Sequence, residues 1–229
     1  MSPLDLTRKA DVSASGFYWL HHLASIDVND GTLSQLVPGL RYVPAYLESD
    51  THDSLVVEVD SQPWHAVGDQ RRIQFYGYWY EHAKGGLYRV GDLPSWASEI
   101  ASRLKHDDLM PYVADQLIVT EYLAGHGIRP HVDAPVFADV IVGITLGSAC
   151  IMELTHQGQK IEQVLLEPRS ALVLSGHARG RWQHSIPARE VDVWIDRTLR
   201  RSRRVSLTFR KVLGLSGDDG GAGRIREHV

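Results

Sequence analysis

From residue 116 onward the hydrophobic pattern of this chain runs with a period of two. QLIVTEY, DVIVGITLG, ACIMEL, IEQVLL, SALVLSG and RRVSLTFRKV carry it, separated by turn residues such as Gly147-Ser148, Gln157-Gly158 and Pro168-Arg169. Side chains alternate between the two faces of a strand, so each segment buries at least one face and needs another layer against it. Many short strands in succession close into a sandwich or barrel. A double-stranded β-helix, or jelly roll, is the expected core.

The first half reads differently. THDSLVVEVDSQPW has the pattern of a short helix capped by Asp53 and ending before Pro63. RRIQFYGYWYEH, dense in aromatics around Gly77, reads as a strand or a strand and turn. In LPSWASEIASRLKHD the apolar residues Leu93, Trp96, Ile100 and Leu104 recur at three and four, which predicts a helix with Pro94 near its start. The expected class is therefore α+β, mainly β. A jelly-roll core over 115–212 carries a helical and β-hairpin N-terminal elaboration over 16–114. Residues 1–15 and the Gly/Asp-rich tail 213–229 are expected to be flexible.

Composition narrows the setting. With 43% hydrophobic and 23% charged residues, 229 residues can bury a substantial core without disulfides. The single cysteine, Cys150, sits in an apolar run and reads as a small buried hydrophobe. The N-terminus shows no basic region followed by an apolar core, and no run approaches the roughly 20 apolar residues of a membrane span. A monomer in the cytoplasm, away from membranes, is the expectation. Net charge is −4, against wholesale wrapping by nucleic acid, yet RTLRRSRR holds five arginines between Arg197 and Arg204. Together with Arg71, Arg72, Arg179 and Arg181 these suggest a local anion site.

Two motifs carry chemistry. In GIRPHVDAP, His131 and Asp133 stand two apart, so on an extended strand they face the same way, with Val132 opposite. A neutral base and a carboxylate on one face are two-thirds of the 2-His-1-carboxylate arrangement that binds iron(II) and leaves positions open. The second histidine must come from His156, His177, His184 or His228. His156 falls in a turn and His177 in a loop after a strand. His184 lies beside Trp182 with an apolar residue and a proline behind it, the setting of a strand edge. His184 is preferred, and spacing alone leaves His177 open. In RVSLTFR, Val205, Leu207 and Phe209 share one face of a strand while Arg204, Ser206, Thr208 and Arg210 share the other. Two guanidiniums leaning inward from that polar row can hold a small dicarboxylate.

H-x-D, a histidine some fifty residues later and R-x-S-x-T-x-R on a late strand follow the order of the AlkB-type iron(II)/2-oxoglutarate dioxygenases. The sequence resembles that family from DQLIVTEYLAGHGIRPHVD to SLTFRKV, and more weakly upstream through RRIQFYGYWY. It is most similar to the branch that hydroxylates the wobble uridine of tRNA. The resemblance implies His131, Asp133 and His184 as iron(II) ligands, with 2-oxoglutarate and dioxygen as cosubstrates. Arg204 would hold the distal carboxylate of 2-oxoglutarate, Arg210 would lie near the metal-proximal one, and Tyr122 would hydrogen-bond the cosubstrate. Thr120 and Ser206 stand where asparagine is usual and keep a hydroxyl donor. Arg71, Arg72, Tyr76, Tyr78 and Trp79 fall in a nucleotide-recognition-like region and would stack a base and grip phosphate.

The implied reaction is hydroxylation of a nucleic-acid base, or oxidative demethylation where the carbon is an N-methyl, with RNA or tRNA ahead of DNA. Pro135 stands where base-repairing members have an acid, which argues against direct repair of alkylated bases. The fullest tRNA-modifying members add an RNA-recognition module and a methyltransferase, for which 229 residues leave no room. A dioxygenase acting on protein or a small molecule is the alternative. A non-catalytic metal-binding module, zinc included, ranks below it.

Overall fold

The computed structural model describes residues 35–67, 71–81, 85–158 and 160–214. Residues 1–15, His228 and nearly all of the tail lie outside the described residues.

The elements follow in chain order. β1 (Leu40–Val43), α1 (Ser49–Ser61), β2 (His65–Val67), β3 (Arg71–Tyr76), β4 (Tyr78–Glu81), β5 (Gly86–Arg89) and α2 (Ser95–His106) form the first half. β6 (Gln116–Tyr122), β7 (Ile128–His131), β8 (Val140–Gly147), β9 (Cys150–His156), β10 (Lys160–Leu166) and β11 (Ala171–Ser175) follow. A short α3 (Gly176–Gly180) leads into β12 (Gln183–Ile186), β13 (Val191–Trp194), β14 (Arg197–Arg200) and β15 (Arg204–Arg210). A seven-stranded antiparallel sheet runs β1-β11-β8-β15-β6-β3-β2, and a four-stranded sheet runs β10-β9-β12-β7. β4-β5 and β13-β14 are separate hairpins.

The six period-two segments all form strands, and their alternation builds two cores. Val205, Leu207 and Phe209 of β15 pack with Leu117 and Val119 of β6 and Val142, Ile144 and Leu146 of β8 against α1 and α2. Leu55 and Val59 come from α1, and Ala97, Ile100, Ala101 and Leu104 from α2. The opposite face meets the small sheet through Tyr42, Leu172 and Leu174 against Cys150, Leu154, Val164, Leu166 and Ile186. Cys150 is a buried free thiol, as expected. Because the central strands are covered on both faces, each needs apolar or site-forming residues at every position.

α1 begins earlier than its sequence suggests. Glu48 stands at its N-cap, so Asp53 lies inside the helix, where it bonds His52, instead of capping it. Gly77 separates β3 from β4 at φ +76°, where a Cβ would stand 1.8 Å from the Asp115 carbonyl oxygen. Only glycine fits that turn.

The arginine run is mostly spent inside the protein. Arg201 donates to both oxygens of Asp192 at 2.6 and 2.7 Å. Asp192, 0% exposed, also accepts from Arg189 and from the Ile151 N–H. This tie fastens β13 to β9. Arg203 pairs with Asp60 and Glu121, and Arg204 lies in the site described below. Only Arg197 and Arg200 of the run stay exposed, on β14. A solvated loop of five arginines would have left all of them available.

Burial pushes the Asp192 carboxyl up, but Arg201 and the Ile151 N–H outweigh it and hold it below the usual range. Arg72 holds Glu121 low in the same way. Asp192→Ala strands Arg201 in the interior and should destabilise the protein by about 3–5 kcal/mol in chemical denaturation. A carboxyl depressed on folding contributes fully above its unfolded pKa of about 4, and the contribution is lost as pH falls through the lower folded value. Stability of the variant should therefore change less steeply than wild type below about pH 4.

Candidate metal and cosubstrate site

β7 and β12 are neighbours in the small sheet, with His131 directly across from His184. Their rings lie 4.2 Å apart between centroids. Asp133 follows two residues after His131, and its Oδ2 is 3.5 Å from His184 Nε2. One donor atom from each of His131, Asp133 and His184 falls within 4.8 Å of the others. His177 does not join them; it is exposed on α3. The pairing of β12 with β7 decides between the two histidines, because it sets His184 directly across from His131.

The protonation states suit a metal. Burial drives His184 down to about 4, aided by His131 and Arg210, so its imidazole is neutral at pH 7. Burial pushes Asp133 up, but Arg210, His184 and His131 outweigh it and bring it to about 2. His131 Nδ1 lies 2.9 Å from the Arg129 carbonyl oxygen, which accepts its proton and leaves Nε2 as the free donor. Two imidazoles and one carboxylate with donor atoms this close together fit a divalent iron.

Arg210 donates to Asp133 Oδ1 and, at 3.3 Å, to Gln116 Oε1, and it covers the Phe137 ring. Arg204 stands at the other end of β15, 5% exposed. Its Nη2 donates to Thr145 Oγ1 at 3.1 Å and to Ser206 Oγ at 3.4 Å. Its Nε and Nη1 are buried with no hydrogen-bond partner. No carboxylate among the described residues pairs with it. A guanidinium held dry and unpaired is costly, and a carboxylate ligand would complete it. Tyr122 lies directly across from Arg204, and Thr120 and Thr145 flank Ser206 on either side. The row Arg204, Ser206, Thr208, Arg210 thus faces the small sheet, with the metal triad at the Arg210 end.

The five residues of the nucleotide-recognition-like stretch divide by strand face. Arg72 turns away from the site and forms a bidentate pair with Glu121, both bonds 2.7 Å. Tyr76 turns the same way, edge-on to Trp96 at 5.9 Å. Neither can meet a ligand at the metal. Arg71 faces the site beside Tyr122. Tyr78 packs with Tyr80 and Leu87 on Ala134, Phe137 and Val212, which lays the β4-β5 hairpin over the segment after Asp133. Trp79 stacks between Phe75 and Tyr88, and Phe75 on His65, at centroid distances of 5.9, 5.2 and 5.0 Å.

One residue escaped the sequence reading. Arg179 of α3, 8% exposed, reaches back under the metal loop. Its guanidinium donates to the carbonyls of Asp133 at 2.9 Å, Ala134 at 2.8 Å, Phe137 at 3.2 Å and Ala138 at 3.3 Å. In the sequence it was one more basic residue, and no local pattern marks an arginine that folds inward.

A family model described as the 2OG-Fe(II) oxygenase superfamily matches residues 39–210. An Arabidopsis thaliana protein, the alkylated DNA repair protein ALKBH8 homolog, is 36% identical over 77% of this chain and 59% of its own length. Protein L905 of Acanthamoeba polyphaga mimivirus is 31% identical over 76% of this chain and 85% of its own. The mouse tRNA (carboxymethyluridine(34)-5-O)-methyltransferase ALKBH8 is 29% identical over 88% of this chain, which spans 34% of that protein. Among solved structures, OsALKBH1 superposes with a TM-score of 0.62 at 15% identity, over 76% of this chain and 97% of that one. No helix among the described residues is long and apolar enough to cross a membrane.

Metal addition should report on this geometry without turnover. Manganese(II) at 100 times its Kd should stabilise wild type by about 2.7 kcal/mol. His131→Ala, at a half-exposed position, should abolish that gain while its own unfolding stays cooperative. Arg179→Ala should weaken metal binding by roughly 10- to 100-fold in equilibrium dialysis, because the loop that aims Asp133 loses its anchor.

Proposed function

The chain belongs to the 2OG-Fe(II) oxygenase superfamily as an AlkB-type member near the ALKBH8 branch, a 2-oxoglutarate/Fe(II)-dependent dioxygenase, and on that footing we propose that it oxidises a base in RNA, tRNA first. The observation that carries this reading is the stacked aromatic row His65, Phe75, Trp79 and Tyr88, whose Phe75 shares a face of β3 with Arg71. Stacked, half-open rings on a strand face suit unpaired bases, whose π-faces need no sequence-specific contact. The ALKBH8 relatives of mouse and frog are named for a tRNA uridine at position 34, which makes a wobble uridine the first base to try.

In this reading His131, Asp133 and His184 hold the iron. Bound iron(II) and 2-oxoglutarate supply the family's chemistry, in which dioxygen is consumed, the 2-oxo acid becomes succinate and carbon dioxide, and one oxygen atom enters a substrate C–H bond. The chain's own residues set the stage. Asp133 balances part of the metal's charge and is kept ionised by Arg210. Arg204 takes the distal carboxylate, with Tyr122, Thr120 and Ser206 around it. The apolar layer between the sheets excludes water from that end. The β4-β5 hairpin presents Trp79 to the base, while Tyr78 fixes the hairpin to the metal loop. The dioxygenase core spans 115–212 in this proposal, and the N-terminal elaboration over 16–114 supplies the recognition surface.

A protein or small-molecule substrate is the second reading, favoured by one observation. Arg201 and Arg203 are consumed internally, Arg204 is buried, and the net charge is −4. Phosphate binding would then rest on few cations, and RNA affinity would fall little with salt.

Anaerobic titration with iron(II) and 2-oxoglutarate should give the visible charge-transfer band of the chelate in wild type and none in His131→Ala. Succinate release should rise on adding tRNA, and nucleoside mass spectrometry should show one added oxygen or a lost methyl group. Trp79→Ala should weaken RNA binding by roughly 5- to 100-fold, the worth of one stacked base, without changing 2-oxoglutarate binding. No succinate with any RNA, from protein that forms the iron chelate, would move the assignment to the second reading.

A further inference from the structure

Arg71 and Arg204 approach the same tyrosine from neighbouring strands. Tyr122 is in register with Arg204 on one side. On the other side Arg72 is in register with Glu121, so Arg71 comes next to Tyr122 one residue further along. The Arg204 guanidinium carbon lies 5.4 Å from the Tyr122 ring centroid and that of Arg71 lies 6.0 Å from it. Burial pushes the Tyr122 hydroxyl up, and the charges of Arg204 and Arg71 pull against it. None of the ion pairs among the described residues involves Arg71 or Arg204.

That contrast is informative. Arg72, Arg189, Arg201, Arg203 and Arg210 all have carboxylates. The two guanidiniums that flank Tyr122 have none, and one of them is buried with two nitrogens unpaired. Like charges gathered at a half-buried site repel, and a bound anion converts that repulsion into attraction. The neutral donors nearby are short. Thr120, Thr145 and Ser206 offer hydroxyls only, and Ser206 meets Arg204 at a long 3.4 Å. An amide at 206 would have reached further toward a ligand, and an extra long-armed cation restores what the hydroxyl lacks.

We propose that Arg71 is a second cationic anchor for the distal carboxylate of 2-oxoglutarate, acting with Arg204 across Tyr122. The inference rests on the dioxygenase assignment and moves Arg71 out of the substrate surface into the cosubstrate site. Arg71 stands by the Tyr122 ring from the β3 side, opposite Arg204, and its charge adds to that of Arg204 at the carboxylate. Being half-exposed and on the strand next to the sheet edge, Arg71 can be changed without opening a cavity.

The test measures ligand binding to the manganese(II)-loaded protein by calorimetry, with no turnover. The ligands are 2-oxoglutarate and 2-oxopentanoate, which keeps the chelating end and chain length and has a methyl group in place of the distal carboxylate. Arg71→Gln should raise the Kd of 2-oxoglutarate by about ten-fold, the scale of one charge-assisted hydrogen bond, and leave 2-oxopentanoate unchanged. Arg71→Lys should recover part of the loss. Equal weakening for both ligands would mean that the substitution merely loosens the site, and the proposal would fail. So it would if 2-oxoglutarate binding were unchanged and RNA binding weakened, which returns Arg71 to the substrate. Arg204→Gln separates this from the assignment beneath it. If Arg204→Gln loses 2-oxoglutarate and Arg71→Gln does not, only the Arg71 anchor is wrong. If wild type binds no 2-oxoglutarate, both readings fall.

Discussion

The alternation of β15 is the constraint on which the rest of the molecule depends. It lies in the middle of a sheet covered on both sides, so its seven residues have two separate duties. Val205, Leu207 and Phe209, 0–2% exposed, lock the sheet to the helices. That packing fixes the strand's register and depth, and the opposite row of Arg204, Ser206, Thr208 and Arg210 is then aimed without being needed to hold the fold. A one-residue slip would drive two guanidiniums into the helix core and turn the apolar row to the site. The helical layer in the first half of the chain therefore serves the chemistry from a distance: it makes the polar row of β15 reproducible to the fraction of an ångström that carboxylate binding requires.

The residues legible in the sequence were those whose role is local. His131 and Asp133 announce themselves by spacing, and β15 by its two-faced pattern. His184 could be preferred over His177 only by guessing a strand edge, and the pairing of β12 with β7 decides it. What the sequence hid was what a side chain meets across the fold. Arg71 and Arg72 are adjacent and identical in kind, yet strand alternation sends one to Tyr122 and the other to Glu121. Tyr76 and Trp79 differ in the same way. The arginine run looked like a basic surface because its partners, Asp60, Glu121 and Asp192, lie 9 to 143 residues away in sequence. The short strands β1, β2, β5, β7 and β12 carry too few residues for a period to show, and the sheet recruits them through pairing.

Electrostatics divides the site into two ends with different debts. At the metal end the Asp133 carboxylate already has a partner. Asp133 is matched by Arg210, and Arg179 spends its donors on four carbonyls of the following segment. Those bonds orient Asp133 within the chain, the preorganisation a site with open coordination positions needs. At the distal end no carboxylate among the described residues pairs with Arg204 or Arg71. The protein folds around that imbalance because the two cores and the Asp192 and Glu121 networks stabilise the surrounding sheet.

That asymmetry bears on the order of events in the site. A preformed metal end gains little from tightening when the metal arrives. The distal end gains a counter-ion only when a dicarboxylate binds there, so its own electrostatic change belongs to the cosubstrate. Ligand binding to the native state alone raises its stability. The strands nearest Tyr122, β3 at the outer part of the sheet above all, should be the ones that the cosubstrate steadies. β3 also carries Phe75 of the aromatic row and runs through Gly77 into the hairpin that presents Trp79. A cosubstrate held partly by β3 thus steadies the surface that would receive the base, through a continuous stretch of backbone. Binding the dicarboxylate before the substrate is then the sequence in which each step prepares the next.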